Sequence, residues 1–144
     1  MDWRVLMSAE PIDVVRQFCA AWSRADADEL LAFMTPDAIF HNVPIDPVVG
    51  HAAIRSALEA FLGMAKNVEF EIRNIAATGS VVFAERVDRF DLGGGHVDLP
   101  CNGVFEVADG KIAAWRDYFD MAMFSQQSAL SDEQYKRLRD AHGA

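Results

Sequence analysis

Apolar residues recur every three or four positions as far as Leu62 and every second position after Asn67, so the chain predicts helices first and a sheet second. Ile12, Val15, Cys19 and Trp22 fall on one side of a first helix, Ile12 to Trp22, with Ser8 as candidate cap. Pro11 suits its first turn, where the missing N–H leaves no bond unmade. Asp26 predicts the cap of a second, shorter helix through Leu30, Leu31 and Met34, ended by Thr35-Pro36 because proline disfavours helix in the residue before it. Ala38 to Val43 reads as a brief strand that runs into Pro44 and Pro47. Gly50 then precedes a third helix with Ile54, Leu58, Phe61 and Leu62 on one face.

From Val68 the alternation of Val68, Phe70 and Ile72 with Glu69, Glu71 and Arg73 marks a strand with two unlike faces. Gly79, the run Gly93-Gly94-Gly95 and Asp109-Gly110 divide the remainder into four strands whose short connections force antiparallel neighbours. Ser131 to Gln134 matches a capping box and predicts a C-terminal helix over residues 131–142. The expected fold is one α+β domain over residues 1–144, with its core in residues 10–124. A curved, mixed but mainly antiparallel sheet wraps around three N-terminal helices to form a cone-shaped pocket, and the last helix lies outside that core.

Composition narrows the partners. A chain of 144 residues with 51% hydrophobic side chains can bury a core without disulfides or metals. Its net charge of −9 and the lack of any basic run exclude nucleic acid and anionic membrane surfaces as expected partners. Cys19 and Cys101 lack C-x-x-C spacing, and Met1-Asp2-Trp3-Arg4 lacks the apolar core of a signal peptide, so the expected setting is reduced and cytoplasmic. His41, His51, His96 and His142 show no ligand spacing, so no metal is expected. Met34, Met64, Met121 and Met123 suit either core filling or the wall of an apolar pocket.

The chemistry concentrates in two strand segments, Glu85-Arg86-Val87-Asp88 and Trp115-Arg116-Asp117-Tyr118-Phe119-Asp120, where ionised groups are costly unless paired. A two-residue loop at Asp109-Gly110 and a three-residue loop at the glycines place Asn102 opposite both Arg86 and Asp117. Arg86, Asn102 and Asp117 then form a row, with Asp88 two residues from Arg86 on the same face. That face also carries Val82, Ala84, Phe90, Val104, Trp115 and Phe119. Cys101, Phe105, Val107 and Tyr118 fall on the opposite face, whose covering predicts a homodimer packed through the outer sheet surface. A guanidinium can hold a carboxylate on each of two edges. Burial favours the neutral acid and arginine favours the ionised one, so the two aspartates can divide into a general acid and a general base. The competing reading is a buried ion triad that only fixes strand register.

Together with Asn42 before Val43-Pro44, and Gly103-Val104-Phe105 followed by Asp109-Gly110-Lys111, these segments resemble the limonene-1,2-epoxide hydrolase family over roughly Ile12 to Phe124. That family lies within the SnoaL-like and ketosteroid-isomerase-like superfamily of cystatin-like α+β cones. The resemblance implies a cofactor-independent epoxide hydrolase that opens an apolar epoxide with water in one step. Asp88 would protonate the epoxide oxygen, Asp117 would take a proton from water, Arg86 would hold both acids and Asn42 would position the water. Phe40, Trp115, Phe119, Phe90, Asn102 and Val82 are the expected pocket residues. The family pattern has tyrosine two residues before the asparagine, where this chain has Phe40, so the water loses one partner worth about 1 kcal/mol, or roughly fivefold in rate. The superfamily also leaves open an isomerase or polyketide cyclase using an aspartate base, and a non-catalytic module that binds an apolar ligand.

Overall fold

A computed structural model describes residues 10–143. Helices α1 (Pro11–Ala21) and α2 (Ala27–Ala32) precede strands β1 (Met34–Asn42) and β2 (Val48–Val49) and helix α3 (His51–Leu62). Four long strands follow, β3 (Ala65–Thr78), β4 (Val81–Leu92), β5 (Gly95–Ala108) and β6 (Lys111–Tyr118), then helices α4 (Met121–Gln127) and α5 (Asp132–Gly143). The sheet order β2-β1-β6-β5-β4-β3 is antiparallel except where β1 runs parallel to β6. This is the mixed, curved sheet the sequence predicts, with α1 laid across it and α3 packed beside β1.

Local chemistry explains most of the boundaries. Asp26 caps α2 by accepting from the N–H groups of Asp28 and Glu29 at 2.9 and 3.3 Å. The candidate cap at Ser8 lies outside the described residues, and Glu10 stands at the start of α1 without a side-chain bond. Met34 does not belong to α2: the helix ends at Ala32, and the extended backbone that Pro36 imposes on Thr35 already begins at Met34, so β1 starts earlier than Ala38. The sheet absorbs Pro36 through a register shift between Met34 and Ile39. At the C-terminus the capping box forms as expected, Ser131 N–H donating to Gln134 Oε1 at 2.9 Å and Gln134 N–H to Ser131 Oγ at 3.2 Å.

Two turns decide which side chains face the core. Asp109 and Gly110, with φ of 50° and 76°, make the expected two-residue turn, but Ala113 is an extra residue in β6, so Glu106 pairs with Ala114. The glycine run also makes a two-residue turn rather than a three-residue one, because Gly93 and Gly94 both take positive φ, 62° and 88°, and Leu92 pairs with Gly95. A Cβ on Gly93 would collide with the backbone of Ala129, in the connection between α4 and α5, so this turn is the seat on which that connection rests.

The resulting register corrects the sequence reading of β5. Arg86 pairs with Cys101 and Asp117 with Gly103, so Cys101, Phe105 and Val107 point inward while Asn102 and Val104 point outward. The outer face expected to carry Cys101, Phe105 and Val107 instead shows Phe83 and Tyr118, each about half exposed, with Ile39 nearby in β1. Among the described residues no helix is long and apolar enough to cross a membrane.

Candidate active site

Arg86 and Asp88 occupy alternate positions of β4 and therefore share its inner face, while Asp117 arrives from β6, two strands away. The Arg86 guanidinium bridges the distance. Its Nε and Nη2 donate to Asp88 at 2.9 and 2.8 Å, and its Nη1 and Nη2 donate to Asp117 at 3.1 and 2.8 Å. Each carboxylate is thus gripped through two oxygens by one edge of a planar cation. All three groups are buried, with exposures of 1%, 5% and 4% for Arg86, Asp88 and Asp117.

The lane that the guanidinium crosses is Gly103. A Cβ there would collide with Arg86 Nη1 and lie 2.9 Å from Asp117 Oδ1, so only glycine leaves room. Asn102, expected in that lane, is exposed on the opposite face. Cys101 lies on the inner face instead, its Sγ accepting from Arg86 Nη2 at 3.4 Å, and burial pushes its pKa up, so it remains a thiol.

The two acids differ in their surroundings. Burial raises the Asp88 carboxyl to about 6, against the pull of the Arg86 charge and hydrogen bonds. Asp117 receives a donor that Asp88 lacks, the Trp115 indole N–H at 2.6 Å from Oδ1. Burial works against the Arg86 charge, but Asp117 and Asp88 outweigh it and hold the guanidinium pKa well above its ordinary value. The indole is itself fixed by stacking, Phe40 lying 4.4 Å from it at 22° and Phe105 5.7 Å away at 12°. Oxygen and sulfur atoms of Asp88, Asp117 and Cys101 lie within 4.8 Å of one another, but the cation among them is already Arg86, which leaves this donor set unsuited to a metal ion.

Asp88 and Asp117 open onto a cavity of about 240 Å³. Phe40, Phe90, Trp115 and Phe119 line it as the sequence predicts, and so does Asn42, which pairs with Asp117 across the parallel strands. Val82 does not reach it: the side chain is on the inner face but fully buried in the hydrophobic core. Phe61, Phe70, Leu58 and Trp22 add to the apolar wall, so the acids sit at the polar end of a hydrophobic hollow.

Of the roof, the sequence foreshadows only Met121, one of the methionines suited to a pocket wall. Helix α4, capped by Asp120 through the N–H groups of Ala122 and Met123 at 2.8 and 3.3 Å, brings Met121 and Phe124 to the cavity. Helix α5 adds Tyr135, Leu138, Arg139 and His142, whose spacing of three, one and three residues is one stripe of a helix. That stripe is visible in the sequence, although its target is not. The Trp115 donor is likewise foreshadowed by its place two residues before Asp117 on the same strand face.

A cone-shaped α+β fold that holds two carboxylates on one buried arginine beside an apolar cavity defines the class of this site. The limonene-1,2-epoxide hydrolase catalytic domain matches residues 9–129, and the chain belongs to that family. It is similar to epoxide hydrolase EphG of Mycobacterium tuberculosis, at 35% identity over 107 residues, covering 74% of this chain and 71% of that one. A solved structure described as an M. tuberculosis LEH-like epoxide hydrolase superposes with a TM-score of 0.73 at 34% identity, covering 82% of this chain and 89% of that one. A putative polyketide cyclase from Pseudomonas putida superposes equally well, with a TM-score of 0.73 at 22% identity over 83% and 98% of the two chains, which is a likeness of fold.

Proposed function

We propose that this protein hydrolyses an uncharged, apolar epoxide to a vicinal diol in one step, without a cofactor. Asp88 donates its proton to the epoxide oxygen as the C–O bond breaks, and a water attacks the ring carbon while Asp117 takes one of its protons. Asn42, beside Asp117, holds that water. The reaction consumes one water and one epoxide, and the site resets when Asp117 loses its proton and Asp88 regains one. Arg86 fixes the separation of the two acids throughout.

The observation that carries this reading is the sharing of one buried guanidinium by two carboxylates that both open onto the same apolar cavity. The family match and the likeness to EphG support the same chemistry.

The direct test is incubation with cyclohexene oxide, styrene oxide and limonene oxide in ¹⁸O-labelled water. One labelled oxygen per diol is the expected result. Turnover of none of the three, or deuterium exchange beside a carbonyl without diol formation, overturns the assignment.

A further inference from the structure

Beyond residue 129, where the family match ends, the chain continues into α5, whose inward stripe covers the cavity. The last member of that stripe, His142, reaches the wall from which Asn42 projects. Its Nδ1 lies 2.8 Å from the Leu138 carbonyl and its Nε2 lies 3.4 Å from Asn42 Nδ2. A carbonyl only accepts, so Nδ1 carries the hydrogen, and in the neutral ring Nε2 is left as an acceptor. Asn42 must then offer its NH₂ group to His142. Its carbonyl oxygen is then the group left to accept a hydrogen from the attacking water.

Phe40 contributes nothing polar to this arrangement. It shares the inner face with Asn42, stacks on Trp115, and places its ring 6.0 Å from the His142 ring. Asn42 therefore depends on a partner from outside the sheet. Without one, its amide can rotate by half a turn and present NH₂ toward Asp117, an orientation in which it cannot accept from the attacking water.

We propose that His142 is a positioning residue: it fixes the orientation of the Asn42 amide and through it the water that Asp117 deprotonates, so that α5 is a working part of the site and not only its roof. This rests on the epoxide-hydrolase reading above. His142 acts on the attacking water through Asn42, whose amide it meets at 3.4 Å.

The test uses the full chain with cyclohexene oxide and separates kcat from KM. His142→Leu, which keeps bulk and removes the acceptor, is expected to lower kcat about tenfold with KM unchanged. His142→Gln, which returns an acceptor oxygen near the position of Nε2, is expected to restore most of kcat. In an Asn42→Ala background His142→Leu is expected to have no further effect on kcat. Nitrogen NMR of ¹⁵N-histidine protein is expected to show His142 protonated at Nδ1.

Wild-type kcat in His142→Leu, an equal loss in His142→Gln, a full additional loss on top of Asn42→Ala, or an Nε2-protonated ring would each overturn the inference while leaving the epoxide hydrolase intact. A wild-type protein that hydrolyses none of the epoxides removes the parent reading, and the inference falls with it.

Discussion

Gly103 is the space through which Arg86 reaches Asp117. Arg86 and Gly103 sit on adjacent strands, and the absence of a side chain on β5 lets the guanidinium pass over it to the acid on β6. Gly103→Ala is therefore expected to push Arg86 aside, costing about 1–3 kcal/mol of stability by overpacking. That corresponds to a fall in Tm of about 2–4 °C per kcal/mol, read by thermal denaturation, with loss of most diol formation. Asn102→Ala, on the exposed face, is the control and is expected to change stability by less than about 0.5 kcal/mol.

Removing the proton chemistry without removing the fold requires the amides. Asp88→Asn and Asp117→Asn are each expected to lower kcat by about 10²–10⁴-fold, since proton transfer by a positioned side chain contributes on that scale. Initial rates of diol release measure this. Full activity in either variant contradicts the role assigned to that residue.

The acid must hold its proton to act. With Asp88 raised to about 6, kcat/KM is expected to be at its plateau below that pH and to fall as pH rises through it, because the carboxylate form cannot protonate the epoxide. The two aspartates share Arg86, so the midpoint belongs to the pair. A pH profile with no decline on the alkaline side argues against Asp88 as the acid.

Trp115→Phe separates packing from hydrogen bonding at the base. The ring remains between Phe40 and Phe105, but Asp117 loses the donor at 2.6 Å. A hydrogen bond to a charged group contributes about 1.5–3 kcal/mol, so a fall of several degrees in melting temperature is expected together with a loss of about tenfold or more in kcat.

Much of this site is legible in the amino-acid sequence, for a definite reason. Strand alternation alone places Arg86 and Asp88 together, and the match between Phe40, Asn42, Trp115 and Asp117 follows from the same period of two. What the alternation cannot supply is register. The shorter glycine turn and the extra residue at Ala113 each shift β5 by one position, and a one-residue slip exchanges the two faces of a strand. Asn102 thereby trades places with Cys101 and Gly103. Arg86 and Asp117 stay on a common face because their partners in β5, Cys101 and Gly103, are two residues apart. The roof is illegible for another reason: α4 is short, α5 is largely polar, and the cavity that their few apolar residues cover is built by segments distant in the chain.

The seat that Gly93 provides for Ala129 ties the far end of the β-hairpin to the ceiling of the hollow. Any side chain larger than hydrogen at that corner must displace the backbone of Ala129 and Leu130, which joins the two roof helices. The cover of the hollow is therefore sensitive to a hairpin corner that touches neither acid.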